Sequence, residues 1–259
     1  MPLTQNSKLI PHNSTTDWHC HILPGIDDGA DTIEESVEMA RTIRAAGFTS
    51  ICCTPHLIKG AYDRSAAEIK RLMEYFQQQL TARSIDVELL AGAEYYLDEY
   101  LLELLDDPLP LGATRQLLVE IPGSARLEFV KETCYRIKCS GYTPLIAHPE
   151  RCGLLESRSN DPEKKGLWSS LFPSRFTAPD PELLEYLQEI GCRFQGNLGS
   201  FAGIYGSRVR EKAIGFLRCG LYDCFGSDAH TSVRLEEMLG EGLQSVAVLT
   251  AKSGENCRE

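Results

Sequence analysis

The sequence contains no C-x-x-C pair, no run approaching 18 apolar residues and no surplus of positive charge. Each absence excludes something. Without a long apolar run the chain has no candidate membrane-spanning helix. With 26 Lys and Arg against 37 Asp and Glu, a net charge of -11, phosphate backbones and anionic lipid surfaces are repelled, so nucleic acid is not an expected partner. The first 16 residues are polar and lack a basic segment followed by an apolar one, so they read as a leader and not as a secretory signal. The ten cysteines are scattered, several within apolar segments, and are expected to be reduced thiols of a cytoplasmic protein. Histidine is scarce as well, with six residues in 259. What is present is ordinary globular composition, 42% hydrophobic and 24% charged, enough for a sizeable core in one or two domains.

Short β-like runs alternate with helical ones. Strands are expected at 16–19, 48–54, 87–91, 117–121, 143–147, 192–197 and 223–226. Helices are expected at 31–46, opened by Asp31 with Glu34 and stopped by Gly47, at the run opened by Ser65 with Glu68, and at 125–139, 181–190 and 207–219. Seven strands alternating with helices imply a parallel α/β sheet or barrel, whose catalytic groups gather at the C-terminal strand ends. Residues 156–180 break the rhythm. They are rich in Ser, Pro and charge yet carry Trp168, Phe172 and Phe176, as in a surface insertion or a lid.

Five histidines, His19, His21, His56, His148 and His230, stand at or just beyond four expected strand ends. If the strands share one mouth, these imidazoles converge. Asp17-Trp18-His19-Cys20-His21 puts two of them at i and i+2, on one side of a strand. Asp27 and Asp28 follow on a turn, Glu94 follows the third strand, Glu120 ends the fourth inside an apolar run, and Asp228 precedes His230. An isolated carboxylate in an apolar run is costly. Imidazole and carboxylate without thiolate suit Mn, Fe or Zn, and clustered metals acidify a shared water and clamp a phosphoryl group.

The H-x-H, T-P-H, G-x-E and S-D-A-H set resembles the polymerase and histidinol phosphatase (PHP) superfamily. The phrases HILPGIDDGADTIEES, YTPLIAHPER and GSDAH are similar to its capsular-polysaccharide branch, the metal-dependent bacterial protein tyrosine phosphatases. The resemblance implies a distorted seven-stranded βα barrel in a single domain, 17–259, preceded by the leader 1–16 and interrupted at 156–180. It implies up to three divalent ions, Mn first, with Fe or Zn as alternatives. One ion takes His19, His21, Glu94 and Asp228; a second takes Glu94, Glu120 and His148; a third takes Asp28, His56 and His230, with Asp27 as rival to Asp28. It implies catalytic arginines that hold phosphate, Arg151 in H-P-E-R and Arg234, although Arg234 follows His230 by four residues where five are expected. The implied partner is the phosphotyrosine tail of a bacterial tyrosine kinase that controls polysaccharide export. A small-molecule phosphatase of the histidinol phosphate or sugar phosphate kind and a non-catalytic metal-binding barrel are the competing readings. A cysteine phosphatase is disfavoured: Cys152 to Arg158 spells C-x₅-R, but Glu156 inside that loop repels phosphate.

Overall fold

The structure is a computed structural model, and it describes residues 15–155 and 181–255. Residues 1–14 of the expected leader and the segment 156–180 lie outside the described residues.

The chain runs β1 (Thr16–Cys20), α1 (Ile33–Ala45), β2 (Ser50–Cys53), β3 (His56–Leu57), α2 (Ala66–Ala82), β4 (Glu88–Ala91), β5 (Glu94–Tyr96), β6 (Gln116–Glu120), α3 (Leu127–Cys139), β7 (Thr143–Ala147), α4 (Pro181–Glu189), β8 (Arg193–Asn197), α5 (Leu198–Ala202), α6 (Ser207–Arg218), β9 (Cys224–Gly226) and α7 (Leu235–Glu255). The strands form two sheets, β1-β2-β4 and β3-β5-β6-β7-β8-β9, and every pairing is parallel. Parallel strands covered by crossover helices are buried on both faces, and Leu145, Ile146 and Ala147 of β7 show it as an unbroken apolar run.

Seven unbroken strands are not what forms. Two short strands outside the expected set, β3 and β5, follow the second and third expected strands, so the described chain has nine strand segments in two sheets. Pro55 separates β2 from β3, because it has no N–H for the ladder. The pair Gly92-Ala93 separates β4 from β5. Beyond each break the chain passes from the first sheet to the second, which puts His56 and Glu94 in register with one another. The second sheet curls back on the first. Asp228 N–H donates to the His19 carbonyl at 2.7 Å, and Cys20 bridges Ala229. Gly226 makes this approach feasible, since a Cβ there would lie 2.5 Å from the His19 Cβ.

Helix ends follow local chemistry. Ser65 and Glu68 form the expected capping box of α2. The start of α1 lies one residue later than expected: Thr32, not Asp31, is the N-cap, and its hydroxyl accepts from Glu35 N–H. Glu35 is tied instead to the loop beyond β9, accepting from the Thr231 hydroxyl at 2.7 Å. α7 has no counterpart among the expected elements, although Leu235, Leu239, Leu243 and Val246 bury one face at helical spacing. It packs on α5, α6 and α1. Among the described residues no helix is long and apolar enough to cross a membrane.

Candidate metal centre

The nine sequence-predicted ligands lie in short strands or in the loops that follow them. His19 sits in β1 and His21 just beyond it; His56 opens β3, Glu94 opens β5, Glu120 closes β6, His148 follows β7, and Asp228 and His230 follow β9. Their ligand atoms fall into three groups close enough to share an ion: His21, Asp28, His56 and His230; His19, Glu94, His148 and Asp228; His56, Glu94 and Glu120.

Distances within the centre carry more than the grouping. His19 Nε2 lies 3.1 Å from His21 Nε2, 3.2 Å from Glu94 Oε2 and 3.3 Å from Asp228 Oδ1. His21 Nε2 lies 3.3 Å from Glu94 Oε2 and 3.5 Å from Asp228 Oδ1. Four donor atoms around a tetrahedral cation with bonds of about 2.0–2.1 Å stand about 3.3–3.4 Å apart. His21 also stacks on His230, with ring centroids 4.0 Å apart, so it stands at the boundary of two groups. Glu94 reaches two further imidazoles: Oε1 is 3.1 Å from His148 Nε2, and Oε2 is 3.1 Å from His56 Nδ1.

The outer partners, all acceptors, assign Nδ1 as the donor of each neutral ring and leave Nε2 with a lone pair facing its neighbours. His21 Nδ1 donates to the ionised Asp27 Oδ2 at 2.7 Å. His19 Nδ1 donates to Gln195 Oε1 at 3.1 Å, and the amide is oriented by Nε2 donating to the Gly196 carbonyl and by His148 N–H donating to Oε1. His230 Nδ1 donates to the Asp228 carbonyl. Each neutral ring therefore turns a bare Nε2 inward, towards carboxylate oxygens. Glu94 Oε2 and His56 Nδ1 are buried without a hydrogen bond, although 3.1 Å apart. Such a convergence of acceptors is repulsive unless protons or cations enter it, so the donor set fits divalent metal ions.

The electrostatics agree. Burial alone would push His19 down, but Glu94 and Asp228 outweigh it and hold the ring up at about 9. His21 is likewise raised well above its ordinary value, despite burial, by Asp228, Asp27 and Glu94. Glu94 and Asp228 are drawn down against their own burial, each by His19 foremost. Burial lowers His56 and His230, and burial together with the Glu94 charge raises Glu120. Where no cation is bound, protons take its place on His19 and His21.

Two of the residues are held in left-handed backbone, His148 at φ +32° and Asp228 at φ +53°. That costs roughly 1–2 kcal/mol for each non-glycine residue and aims both side chains from strand ends into one space.

Asp27 and Asp28 have separate places. Asp27 lies behind His21, accepting also from His56 N–H at 2.9 Å and Gly29 N–H at 3.0 Å. Asp28 is 51% exposed, and its Oδ1 is 3.5 Å from both His56 Nε2 and His230 Nε2. Arg151 joins the centre, whereas Arg234 does not. Arg151 Nη1 donates to Asp228 Oδ2 at 2.6 Å. Arg234 lies on the exposed start of α7 and spends its guanidinium on Glu237, at 2.8 and 3.0 Å. The four-residue interval after His230, with Arg234 itself in left-handed backbone at φ +57°, turns it to this helix partner.

Sequence reasoning missed the supporting layer. Gln195 and Asn197 alternate on β8 and face the centre. Asn197 Nδ2 donates to Asp228 Oδ2 at 2.8 Å, and its N–H donates to the buried Glu150 at 3.0 Å. Glu150 also accepts from the Tyr222 hydroxyl at 2.9 Å. The signal was a polar i, i+2 pair at the end of an expected strand. Cys152 of the C-x₅-R phrase is a buried thiol, and Arg158 lies outside the described residues.

Comparison with known proteins gives this centre a setting. Tyrosine-protein phosphatase YwqE of Bacillus subtilis (strain 168) is 31% identical over 216 residues, 83% of this chain and 76% of its own. Tyrosine-protein phosphatase CpsB of Streptococcus agalactiae serotype V is 28% identical over 144 residues, 55% of this chain and 59% of its own. Among solved structures, one from the work on YwqE of Bacillus subtilis and CpsB of Streptococcus pneumoniae, described as unique metal-dependent tyrosine phosphatases, superposes with a TM-score of 0.70. It is 27% identical and covers 92% of each chain. Histidinol phosphate phosphatase of Lactococcus lactis shares the fold, with a TM-score of 0.52 at 15% identity, covering 92% of this chain and 93% of its own. The model of the capsular polysaccharide synthesis family CpsB/CapC matches residues 15–164, and the chain is a member of that family.

Proposed function

We propose that this chain is a metal-dependent protein tyrosine phosphatase that removes phosphate from the tail of a bacterial tyrosine kinase controlling capsular or exopolysaccharide synthesis and export. The observation that carries the reading is the inward-facing set of His19, His21, Glu94 and Asp228 in a family whose relatives are named tyrosine phosphatases. One ion is assigned to those four residues, a second to Glu94, Glu120 and His148, and a third to Asp28, His56 and His230. Manganese is the first choice, with iron or zinc as alternatives. We further read β2 with β3 and β4 with β5 as interrupted staves of a distorted seven-stranded barrel, forming one domain over 17–259 with an insertion at 156–180, in a cytoplasmic protein.

When bound, divalent ions supply Lewis-acid charge and an acidified water for in-line displacement at phosphorus. The chain's own residues do the rest. Gln195 and Asp27 fix the imidazole tautomers, so that Nε2 of His19 and His21 is free to ligate. Arg151, a third exposed, offers the guanidinium fork that matches two phosphate oxygens. A tyrosinate leaving group has a conjugate acid near pKa ~10 and needs little protonation, so no general acid is required of the chain. The centre opens at the strand ends, where an unfolded tail can enter and a folded surface cannot.

The test is phosphate release from a phosphotyrosine peptide and from the phosphorylated kinase, compared with phosphoserine peptides and with histidinol phosphate. Chelation should abolish release and Mn²⁺ should restore it. Equal rates on phosphoserine, or faster release from histidinol phosphate, would overturn the tyrosine assignment. Chelator-resistant activity would overturn the metal assignment.

A further inference from the structure

We infer that Tyr205 is the positioning residue for Arg151, a role that rests on the phosphatase reading of the centre. Arg151 is the one guanidinium that the described residues bring to the ligand set, and a long side chain at a mouth has to be held if its fork is to meet phosphate. Two contacts hold it. Nη1 donates to Asp228, and Cζ lies 4.5 Å from the centroid of the Tyr205 ring. A guanidinium over an aromatic face is attracted by the ring quadrupole and keeps its edge donors free, so the plane is fixed while the fork stays available.

The ring itself is built into the site. Tyr205 sits in the short connection between α5 and α6, flanked by Gly203 at φ +86° and Gly206 at φ +88°. Backbone bonds close that turn, with Ile204 N–H donating to the Gly199 carbonyl and Gly206 N–H to the Gly203 carbonyl, each at 3.0 Å. The Tyr205 hydroxyl accepts from Asn197 Nδ2 at 3.4 Å, and the same amide donates to Asp228 Oδ2 at 2.8 Å. Arg151, Asp228, Asn197 and Tyr205 thus form a closed ring of contacts, with Tyr205 as its only aromatic member. The Tyr205 side of that ring is 37% exposed, too open for a residue whose purpose is core packing.

The decisive experiment is a double-mutant cycle between Tyr205 and Arg151 on a phosphotyrosine peptide, with inorganic phosphate affinity as a second readout. Tyr205→Leu should lower kcat/KM about tenfold and weaken phosphate binding by a similar factor. Metal content and melting temperature should stay those of the parent. Tyr205→Phe, which keeps the ring and loses the hydroxyl, should recover most of the loss. In an Arg151→Ala background, Tyr205→Leu should add less than about a twofold loss in either readout. A full additional loss in that background, or parental phosphate affinity in Tyr205→Leu, would overturn the role. A parent protein that releases no phosphate from phosphotyrosine but binds inorganic phosphate in a Tyr205-dependent way would overturn the proposed function and leave this pairing standing.

Discussion

Arg151 donates to Asp228 at 2.6 Å, and its chain neighbour Glu150 faces away, to Asn197 N–H and the Tyr222 hydroxyl. The guanidinium is therefore anchored to a residue of the candidate metal centre and not to the acidic residue beside it. Arg151→Ala should keep its metals and fold and lose turnover by about 10²-fold, as when a donor to the transition state is removed. Arg151→Lys should recover little, because an ammonium cannot make the fork. Steady-state kinetics with elemental analysis checks both. A lower melting temperature with near-parental turnover would assign Arg151 to the fold.

Glu94 touches four imidazoles, His19, His21, His56 and His148, at 3.1–3.3 Å. Asp28 is half-exposed and meets two, at 3.5 Å. Removing Glu94 should therefore empty more of the centre. Elemental analysis should find fewer metal equivalents per chain in Glu94→Ala than in Asp28→Ala, and full occupancy in Glu94→Ala would exclude a shared ligand.

Gln195 acts behind His19. Its Oε1 receives both the His19 Nδ1 proton and the His148 N–H. Gln195→Leu removes that acceptor while conserving much of the volume. The loss of a hydrogen bond of this kind weakens metal affinity by about 10- to 100-fold. Competition with a chromophoric chelator measures it, with circular dichroism as the control for fold.

The pH dependence of stability should invert with metal. In the chelated protein His19 is raised from 6.5 to about 9, because Glu94 and Asp228 outweigh its burial. A group raised on folding contributes stability that is complete below its unfolded value and is lost as pH climbs through the folded one. Urea midpoints in chelator should therefore fall between pH 6.5 and 9. Glu94 and Asp228, both lowered, give the opposite limb, with stability lost as pH drops below their ordinary range. Ligation requires bare imidazole, so apparent metal affinity should rise over the window in which chelated stability falls. A flat urea profile in chelator would refute the proton-for-metal exchange.

Cys152 is a buried thiol and belongs to none of the three ligand groups of the centre. Cys152→Ser should keep its metals and most of its turnover. A metal-loaded but inactive Cys152→Ser protein would reinstate a thiol mechanism.

Much of this centre could be read from one dimension. His19 and His21 show their shared side of β1 through a period of two, and Glu120 betrays itself as a carboxylate closing an apolar run. The strand-helix alternation fixes that strand ends share a face, since parallel strands joined by crossover helices can do little else. Period and capping are local properties, so α2 begins at the Ser65–Glu68 box where the sequence places it. Tertiary structure decided what depends on distance. Asp27 and Asp28 are adjacent and chemically identical, and only the turn after His21 sends one behind the imidazole and the other to the mouth. Arg151 and Arg234 read alike as candidate phosphate holders, yet one meets Asp228 and the other meets Glu237. Gln195, Asn197 and Tyr205 carry no charge and no motif, and their roles come from pairings across the sheet. A side chain's type is written in its position, but the partner that orients it comes from the meeting of segments far apart in the chain.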